Sequence, residues 1–209
     1  TKTVSGETTV GLPQLGTSVS PHQSWRTENS CLLYKVNLAY QFTNNIMSYF
    51  QVATGFRPGG VNQGIGLATA LPYLPDKLTT YELGFKGSFF HHRLIVDLAA
   101  YRTDWTNMQV SLQTSTYAYL GNAGAARIQG IEAELMAKLT NDLDLSLNGM
   151  LQSAKLTKDQ IANGAVPSTS TGYKGDRIPT IPDGTLTLSL DYHHPFSRTL
   201  TGIAHLDAN

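Results

Sequence analysis

The sequence has no long apolar run: nothing approaches the roughly 18 uncharged apolar residues that a membrane-spanning helix requires. Charge is also scarce, at 14% of 209 residues against the roughly 25% usual in soluble domains. Apolar residues make up 41%, slightly below the usual range, so the chain is poor in charge without being rich in hydrophobic residues. A bundle of membrane helices is therefore excluded. Membrane strands are not, because their alternate residues face lipid and lumen and the averages cancel.

Net charge and cysteine content exclude further classes. Fifteen basic residues balance 15 acidic ones, so no bulk field attracts nucleic acid. The single cysteine, Cys31, cannot form an internal disulfide, and no Cys/His spacing matches a zinc site. No signal peptide is visible in residues 1–15, so we expect an exported protein of this kind to begin upstream of Thr1. We predict no nucleic-acid partner and no cofactor.

The most informative pattern is a period-two alternation of apolar and polar residues, which is typical of a strand with two different faces. It is clearest at residues 143–152, where leucines alternate with Asp144, Ser146 and Asn148. The register of the segment 99–110 stays open, because Arg102 and Asp104 would share the apolar face unless a bulge intervenes. The pattern predicts an all-β protein of about eight antiparallel strands, near residues 34–42, 46–56, 80–89, 94–110, 131–135, 143–152 and 185–192 and from 199 onward.

The connections between these strands alternate between short and long. Short turns are predicted near residues 44, 91, 141 and 195, and long loops begin near 57, 111 and 157. All long loops therefore fall at one end of the sheet. This asymmetry is typical of transmembrane β-barrels, which have short periplasmic turns and long extracellular loops. A soluble sandwich has no reason to sort its loops in this way, although a lipocalin-like barrel could.

The two faces of the predicted sheet differ enough to predict their surroundings. Predicted strands such as 34–42 and 143–151 meet the roughly 9 to 11 residues that a tilted membrane strand needs. Tyrosines near strand ends predict an aromatic girdle, with ordinary packing as the alternative; they are Tyr34, Tyr40, Tyr49, Tyr81 and Tyr192. The opposite face is predicted to turn toward a wet lumen or a polar plug; it carries Lys35, Asn37, Gln41, Glu82, Lys86, Glu132, Glu134, Asp144 and Asn148. Because a spanning sheet must leave no edge in the bilayer, we expect the rest of the barrel to lie outside this chain.

Five blocks, in order, resemble the C-terminal barrel region of TonB-dependent receptors. They are YFQVATGFRPGGVN (49–62), LTTYELGFKGSFF (78–90), AAYRTDWTNMQV (99–110), NAGAARIQGIEAEL (122–135) and GDRIPTIPDGTLTLSLDY (175–192). Membership would imply a 22-stranded barrel around an N-terminal plug, set in the outer-membrane lipid of a Gram-negative bacterium. It would also imply import of a small ligand, such as a metal chelate, cobalamin or an oligosaccharide, with energy from TonB. All of 1–209 would then be part of one barrel domain, with the plug, the TonB-contacting segment and the remaining strands absent from this chain.

Few residues suggest chemistry of their own. Arg57 and Asn62, at the mouth of a long loop beside Gly59 and Gly60, are predicted to contact the ligand; the alternative is that the glycines only shape the loop. Glu132 and Glu134 point the same way on a strand, where we favour contacts with a plug over a catalytic carboxylate pair. The pairs His91–His92 and His193–His194 are predicted to be solvated turn residues rather than metal ligands. Gly64 to Gly66 begins a phosphate-loop-like string, but no helix follows.

Alternatives to an importing receptor remain open at this point. A small complete eight-stranded outer-membrane barrel could serve as a structural anchor or adhesin. An outer-membrane hydrolase would need a role for His22 or Asp176, and no Gly-x-Ser-x-Gly motif supports it. A lipocalin-like binder would turn the apolar face of residues 34–42 inward. Our expectation is a receptor rather than an enzyme.

Overall fold

The computed structural model describes residues 2–8, 23–62, 71–113, 118–160, 172–179 and 181–209. All regular elements in these ranges are β-strands. No helix in the described ranges is long and apolar enough to cross a membrane. In chain order the strands are β1 (Lys2–Thr8), β2 (Gln23–Asn29), β3 (Lys35–Thr43), β4 (Ile46–Arg57), β5 (Gly60–Asn62), β6 (Leu71–Tyr73), β7 (Asp76–Phe89), β8 (Leu94–Thr106), β9 (Gln109–Gln113), β10 (Ala118–Asn122), β11 (Ala125–Lys138), β12 (Leu143–Lys158), β13 (Gly184–Pro195) and β14 (Thr201–Ala208).

Eight of these strands form one antiparallel sheet, in the order β14-β13-β12-β11-β8-β7-β4-β3. The prediction of about eight strands is confirmed. Strand β8 ends at Thr106, short of the predicted Val110, because Gln109 already begins the separate strand β9. No register shift separates Arg102 from Asp104 in the pairing with either neighbour, so both lie on the face of Leu98 and Ala100.

Strand register separates the residues of the sheet into two faces. One row across seven strands joins Leu38, Phe50, Leu83, Ala100, Ile131, Leu151 and Gly184. We call its side the apolar face. The row that joins Gln41, Met47, Lys86, Asp97, Glu134, Asn148 and Thr187 lies on the opposite side, which we call the polar face. This separation follows from the period-two alternation, since successive side chains of a strand point in opposite directions.

The connections confirm the predicted alternation. Turns at 44–45, 90–93, 139–142 and 196–200 are short, and the connections 58–75, 107–124 and 159–183 are long. The strands of the sheet thus have a short-turn end, where the short turns connect them, and a long-loop end, where the long connections leave. The long connections carry the hairpins β5–β6 and β9–β10, and β1 pairs with β2 before the main sheet begins. The sequence had predicted these hairpins as loops, because strands of three to five residues are too short to show a period-two pattern.

Few side chains of the described residues are buried, and those that are lie at the long-loop end. Met108, Ala126 and Leu156 form a small cluster with Trp105 and Ile178 packed against it. The apolar face, in contrast, is exposed: Leu38 is 72%, Leu83 60% and Leu151 64% exposed. A lipocalin-like binder would bury these leucines in a sealed centre, so that hypothesis is wrong.

Candidate functional site

At the long-loop end of the polar face, a buried carboxylate ties three strands to the start of a loop hairpin. Asp76 has no exposed surface. The Arg57 Nε lies 3.1 and 2.9 Å from its two oxygens, and the Arg57 Nη2 also contacts the carboxylate. Trp105 Nε1 donates at 2.8 Å, and the backbone amides of Arg57 and Gln109 donate at 3.2 and 3.3 Å. The buried charge is thus paired and fully hydrogen-bonded, which burial requires.

The same contacts set the protonation of this pair, which lies beyond the apolar band at the long-loop end. Burial raises the pKa of the Asp76 carboxyl, but the hydrogen bonds from Arg57, Trp105 and Gln109 outweigh it and hold the pKa below its usual value. Arg57, stacked 5.0 Å from the Trp105 ring centroid, is 49% exposed. Its guanidinium is therefore fixed by Asp76 while one side stays open to solvent, which is compatible with the predicted ligand contact.

Amide side chains connect the long loops to one another at this end. Asn62 donates to the Leu120 carbonyl and accepts from the Leu120 amide, both at 2.7 Å. Gln109 Nε2 donates to the carbonyls of Pro58 and Leu74, both at 3.0 Å. Asn122 accepts from the Leu74 amide at 2.6 Å and donates to the Leu74 carbonyl at 2.8 Å. Asn62 was predicted as a ligand contact; the structure gives its side chain a role in holding the two loop hairpins together, and the ligand role stays a prediction.

All nine residues predicted to face a lumen lie on the polar face. They are Lys35, Asn37, Gln41, Glu82, Lys86, Glu132, Glu134, Asp144 and Asn148. Five acidic side chains, counting Asp97, accompany two lysines in this set, and Lys86 pairs with Asp97. The polar face therefore carries an excess of negative charge.

A groove of about 340 Å³ lies in the middle of the polar face, lined in part by Tyr49, Glu82, Glu132, Glu134 and Asn148. Tyr49 Oη donates to Glu82 Oε1 at 2.6 Å. Among the described residues, Glu132 and Glu134 have no hydrogen-bond or ion-pair partner. Two carboxylates side by side in a groove attract cationic groups. No group of three or more His, Cys, Asp or Glu side chains in the described ranges is arranged to hold a metal ion.

Three of the tyrosines predicted for an aromatic girdle lie on the apolar face of the sheet, and one does not. Tyr40, Tyr81 and Tyr192 lie on the apolar face near its two borders. Tyr49 lies on the polar face, so its assignment to the girdle is wrong. The reason is the alternation along β4, because the adjacent Phe50 takes the apolar face. The Tyr49 ring lies close to Gly84 on the neighbouring strand, where a Cβ would lie 2.1 Å from it. Glycine opposite an aromatic ring lets the ring lie flat against the strand.

Both histidine pairs were predicted to lie in turns, and only one of them does. His91 and His92 lie in the short turn as predicted, with His92 Nδ1 2.7 Å from Ser88 Oγ. His193 and His194 were also expected in a turn, but β13 continues to Pro195 and includes both. The reason is pairing with β14, which extends the ladder to Thr201, while His194 Nδ1 contacts Asp142 at 2.6 Å.

Of the two residues considered for hydrolysis, only Asp176 lies among the described residues. Asp176 accepts a hydrogen bond from the backbone amide of Tyr173 at 2.7 Å, as a loop-shaping side chain does. His22 lies outside the described residues, as does the Gly64–Gly66 string.

A meandering antiparallel sheet with one exposed apolar face, one polar face and long loops at a single end defines the wall of an outer-membrane β-barrel. The family model "TonB dependent receptor-like, beta-barrel" matches residues 4–208. The chain belongs to the TonB-dependent receptor family.

Individual relatives support this assignment. The chain is 26% identical over 186 residues to the probable TonB-dependent siderophore receptor PiuA of Acinetobacter baumannii, covering 85% of this chain and 24% of that protein. It is 26% identical over 159 residues to the pesticin receptor of Yersinia pestis, covering 75% and 22%. It therefore spans about a quarter of the length of the curated relatives it matches.

Solved structures share the fold. The ferric yersiniabactin uptake receptor FyuA from Yersinia pestis superposes with a TM-score of 0.71 at 22% identity, covering 89% of this chain and 26% of that one. The ferric-catecholate import receptor Fiu from K12 E. coli gives 0.57 at 22% identity, covering 92% and 28%. The chain thus lies in the outer membrane of a Gram-negative bacterium. The long-loop end is extracellular and the short-turn end periplasmic.

Proposed function

We propose that the protein containing this chain imports a metal–siderophore complex across the outer membrane, using energy supplied by TonB. The chain contributes eight strands of barrel wall and three long extracellular connections. The observation that carries the proposal is the family match over residues 4–208, together with a relative that is itself named a probable siderophore receptor. Cobalamin and oligosaccharides are the other ligand classes to test.

The polar face is proposed to line the lumen and to hold a plug domain. Glu132 and Glu134 are free carboxylates in the groove, whereas Glu82 and Asp97 already have partners on the sheet. A plug that presents arginine or lysine side chains to this groove would satisfy both carboxylates. The extracellular mouth, with the half-exposed Arg57 and with Asn62, is proposed to contact the bound chelate.

The import proposal is tested in the source bacterium. Deletion of the whole gene should abolish energy-dependent uptake of radioactive iron supplied as one siderophore from a panel, and the complete gene should restore it. Uptake of every iron–siderophore complex at the level of the parent strain would contradict the proposal. Loss of cobalamin or oligosaccharide uptake instead would support an import receptor but assign it a different ligand class.

The proposal that the polar face lines the lumen and contacts a plug is tested with a double variant. Glu132→Gln with Glu134→Gln should lower uptake at least tenfold while the folded receptor remains in the outer membrane, because the plug loses its partners. Asp144→Asn, on the same face but outside the groove lining, is the control and should leave uptake near its normal level. Equal uptake by all three receptors would contradict this role.

The alternative of a small complete barrel fits the sheet less well. Strands β3 and β14 occupy its two edges and do not pair with each other in the sheet that the structure describes. Backbone groups on an open edge are not tolerated in hydrocarbon, so further strands are needed to close the wall. Isolated chain that inserts into vesicles, runs as a heat-modifiable band and closes β3 onto β14 would revive this alternative.

A further inference from the structure

The apolar face ends, at its extracellular border, in a cluster of cations. Arg127 lies opposite Lys155 on β12, and Lys155 lies opposite Arg177 in an isolated bridge. On the other neighbouring strand, β8, Asp104 lies opposite Arg127. Arg102 is two residues from Asp104 along β8, nearer the membrane centre. We call Arg102, Arg127, Lys155 and Arg177 the basic cluster.

The charges of the basic cluster are only partly compensated. Asp104 accepts hydrogen bonds from Arg102 Nε at 3.0 Å and from Arg127 Nε at 2.8 Å, so one carboxylate serves two guanidinium groups. Arg177 pairs with Asp183 at 2.6 Å. Lys155 is exposed and has no ion-pair partner among the described residues. Four cations therefore face two anions, and like charges directly opposite on paired strands repel each other. An additional anion would relieve this repulsion.

The position of the basic cluster identifies the kind of anion. Along β11, Ile131 follows Arg127 by four residues on the same face, and along β12, Leu151 precedes Lys155 by four. Four residues of a strand tilted by about 45° rise roughly 9 Å along the membrane normal. The cations therefore lie just above the hydrocarbon, on the side of the long loops and the outer leaflet. Lipid phosphates occupy that level.

A groove for hydrocarbon lies directly below. A shallow depression of about 360 Å³ on the apolar face is lined in part by Ser48, Leu83, Phe85, Leu98, Ala100 and Ile131, and mainly through apolar atoms. It forms because Ser48 and Ala100 are short where their neighbours are bulky. Ala100 is two residues from Arg102 on β8, so the depression and the basic cluster adjoin.

From this juxtaposition we propose that the barrel wall binds a phosphate-bearing lipid of the outer leaflet. Arg127 and Lys155, with Arg102 and Arg177 beside them, hold the phosphate, and the depression at Ala100 holds part of an acyl chain. The cations meet the negative headgroup where water is scarce, and the strand surface below supplies apolar contact. This site is separate from the lumen and the ligand mouth, since it lies on the opposite face of the sheet.

The experiment uses the complete receptor, purified in a zwitterionic detergent and titrated with bisphosphorylated lipid A while bound lipid is counted by native mass spectrometry. Arg127→Gln with Lys155→Gln should raise the Kd for lipid A at least tenfold, because each cation near a lipid surface contributes roughly a factor of five. The matched control, Lys138→Gln with Arg198→Gln, removes two charges at the short-turn end and should change the Kd less than twofold. Lys155→Gln alone should raise the Kd for lipid A about fivefold, and it replaces the double variant in the test if that variant does not fold.

Two further arms separate a lipid site from a simple anion site. Ala100→Phe fills the depression and should weaken lipid A binding while the cations remain. Dephosphorylated lipid A should bind at least tenfold more weakly than the bisphosphorylated form. The proposal is wrong if the double variant binds lipid A as the parent does, if the dephosphorylated lipid binds equally, or if inorganic phosphate displaces lipid A at matched phosphate concentration.

Discussion

Arg57 and Asp76 face each other across β4 and β7 at the extracellular end of the wall, and the guanidinium donates to both oxygens of a carboxylate with no exposed surface. Trp105 on β8 and the Gln109 amide complete the same cluster. Three strands and the start of a loop hairpin thus meet at one charge. This cluster therefore fixes the strand ends from which the long connections leave the barrel, and we call these strand ends the loop base.

Replacing Asp76 should loosen that base. Asp76→Ala leaves the Arg57 guanidinium, Trp105 Nε1 and two backbone amides without their acceptor. We expect a local cost of about 2 kcal/mol, below the 3–5 kcal/mol for a fully buried pair because Arg57 is half exposed. Hydrogen exchange in the complete receptor should then be about thirtyfold faster at residues 57–62 and 105–109. Asp183→Ala, which breaks an exposed pair with Arg177, should change exchange there by less than twofold.

The same pair predicts how the loop base responds to acid. The pKa of Asp76 in the folded protein lies below its usual value, and the unfolded value is about 3.9. The stabilisation is therefore complete above the unfolded pKa and is lost as the pH falls through the folded pKa. The difference in exchange between the parent and Asp76→Asn, corrected for intrinsic rates, should persist from pH 7 to pH 5 and shrink only below about pH 4. A difference that vanished at pH 6 would contradict this assignment.

The contact between Tyr49 and Gly84 gives a third prediction. A Cβ at position 84 would lie 2.1 Å from the Tyr49 ring, so Gly84→Ala must move the ring and weaken its hydrogen bond to Glu82. Overpacking of this kind costs roughly 1–3 kcal/mol. The temperature at which the heat-modifiable band is lost should fall. Gly55→Ala is the control, because nothing lies within 4 Å of a Cβ there, and an equal fall for both variants would show that the contact is unimportant.

Charge on the two faces should have unequal effects on assembly. Leu147 and Asn148 are adjacent on β12 but lie on the apolar and polar faces. Leu147→Arg places a cation against hydrocarbon, at a cost of about 2–4 kcal/mol near the midplane. Asn148→Arg places it opposite Glu134. The yield of folded receptor in outer-membrane fractions should drop for the first variant and stay near normal for the second; the reverse order would be incompatible with the proposed sidedness.

The sequence predicted the eight wall strands because their apolar alternation is local and repeats along the chain. The predicted strand ends were less accurate where the strands continue beyond the hydrocarbon. The fifth strand was placed near 131–135 and runs over 125–138, and the sixth extends to Lys158. Beyond the hydrocarbon the pattern reverses on these two strands. Arg127 and Lys155 take the outer side, while Ala126 and Leu156 are buried on the other side, so the period-two signal is broken although the backbone pairing continues.

The Asp76 cluster was missed for a different reason. Its members come from β4, β7, β8 and β9, and Asp76 itself lay at the end of a predicted loop. Only the pairing of the strands brings Arg57, Asp76 and Trp105 together, and no local spacing predicts such a contact. The basic cluster was missed in the same way, since Arg127, Lys155 and Arg177 are far apart in sequence. The position of Arg102 and Asp104 on the apolar face was the one local signal of it.

Ile131 and Glu132 offer the most direct test, because adjacent positions on β11 should meet opposite environments. In the complete receptor in lipid, with Cys31→Ser, a nitroxide is attached to a cysteine at position 131 or 132. We expect the label at 131 to collide mainly with dissolved oxygen, as a probe in hydrocarbon does, and the label at 132 to be shielded from oxygen. Oxygen access that is greater at 132 than at 131 would contradict the account of the barrel wall.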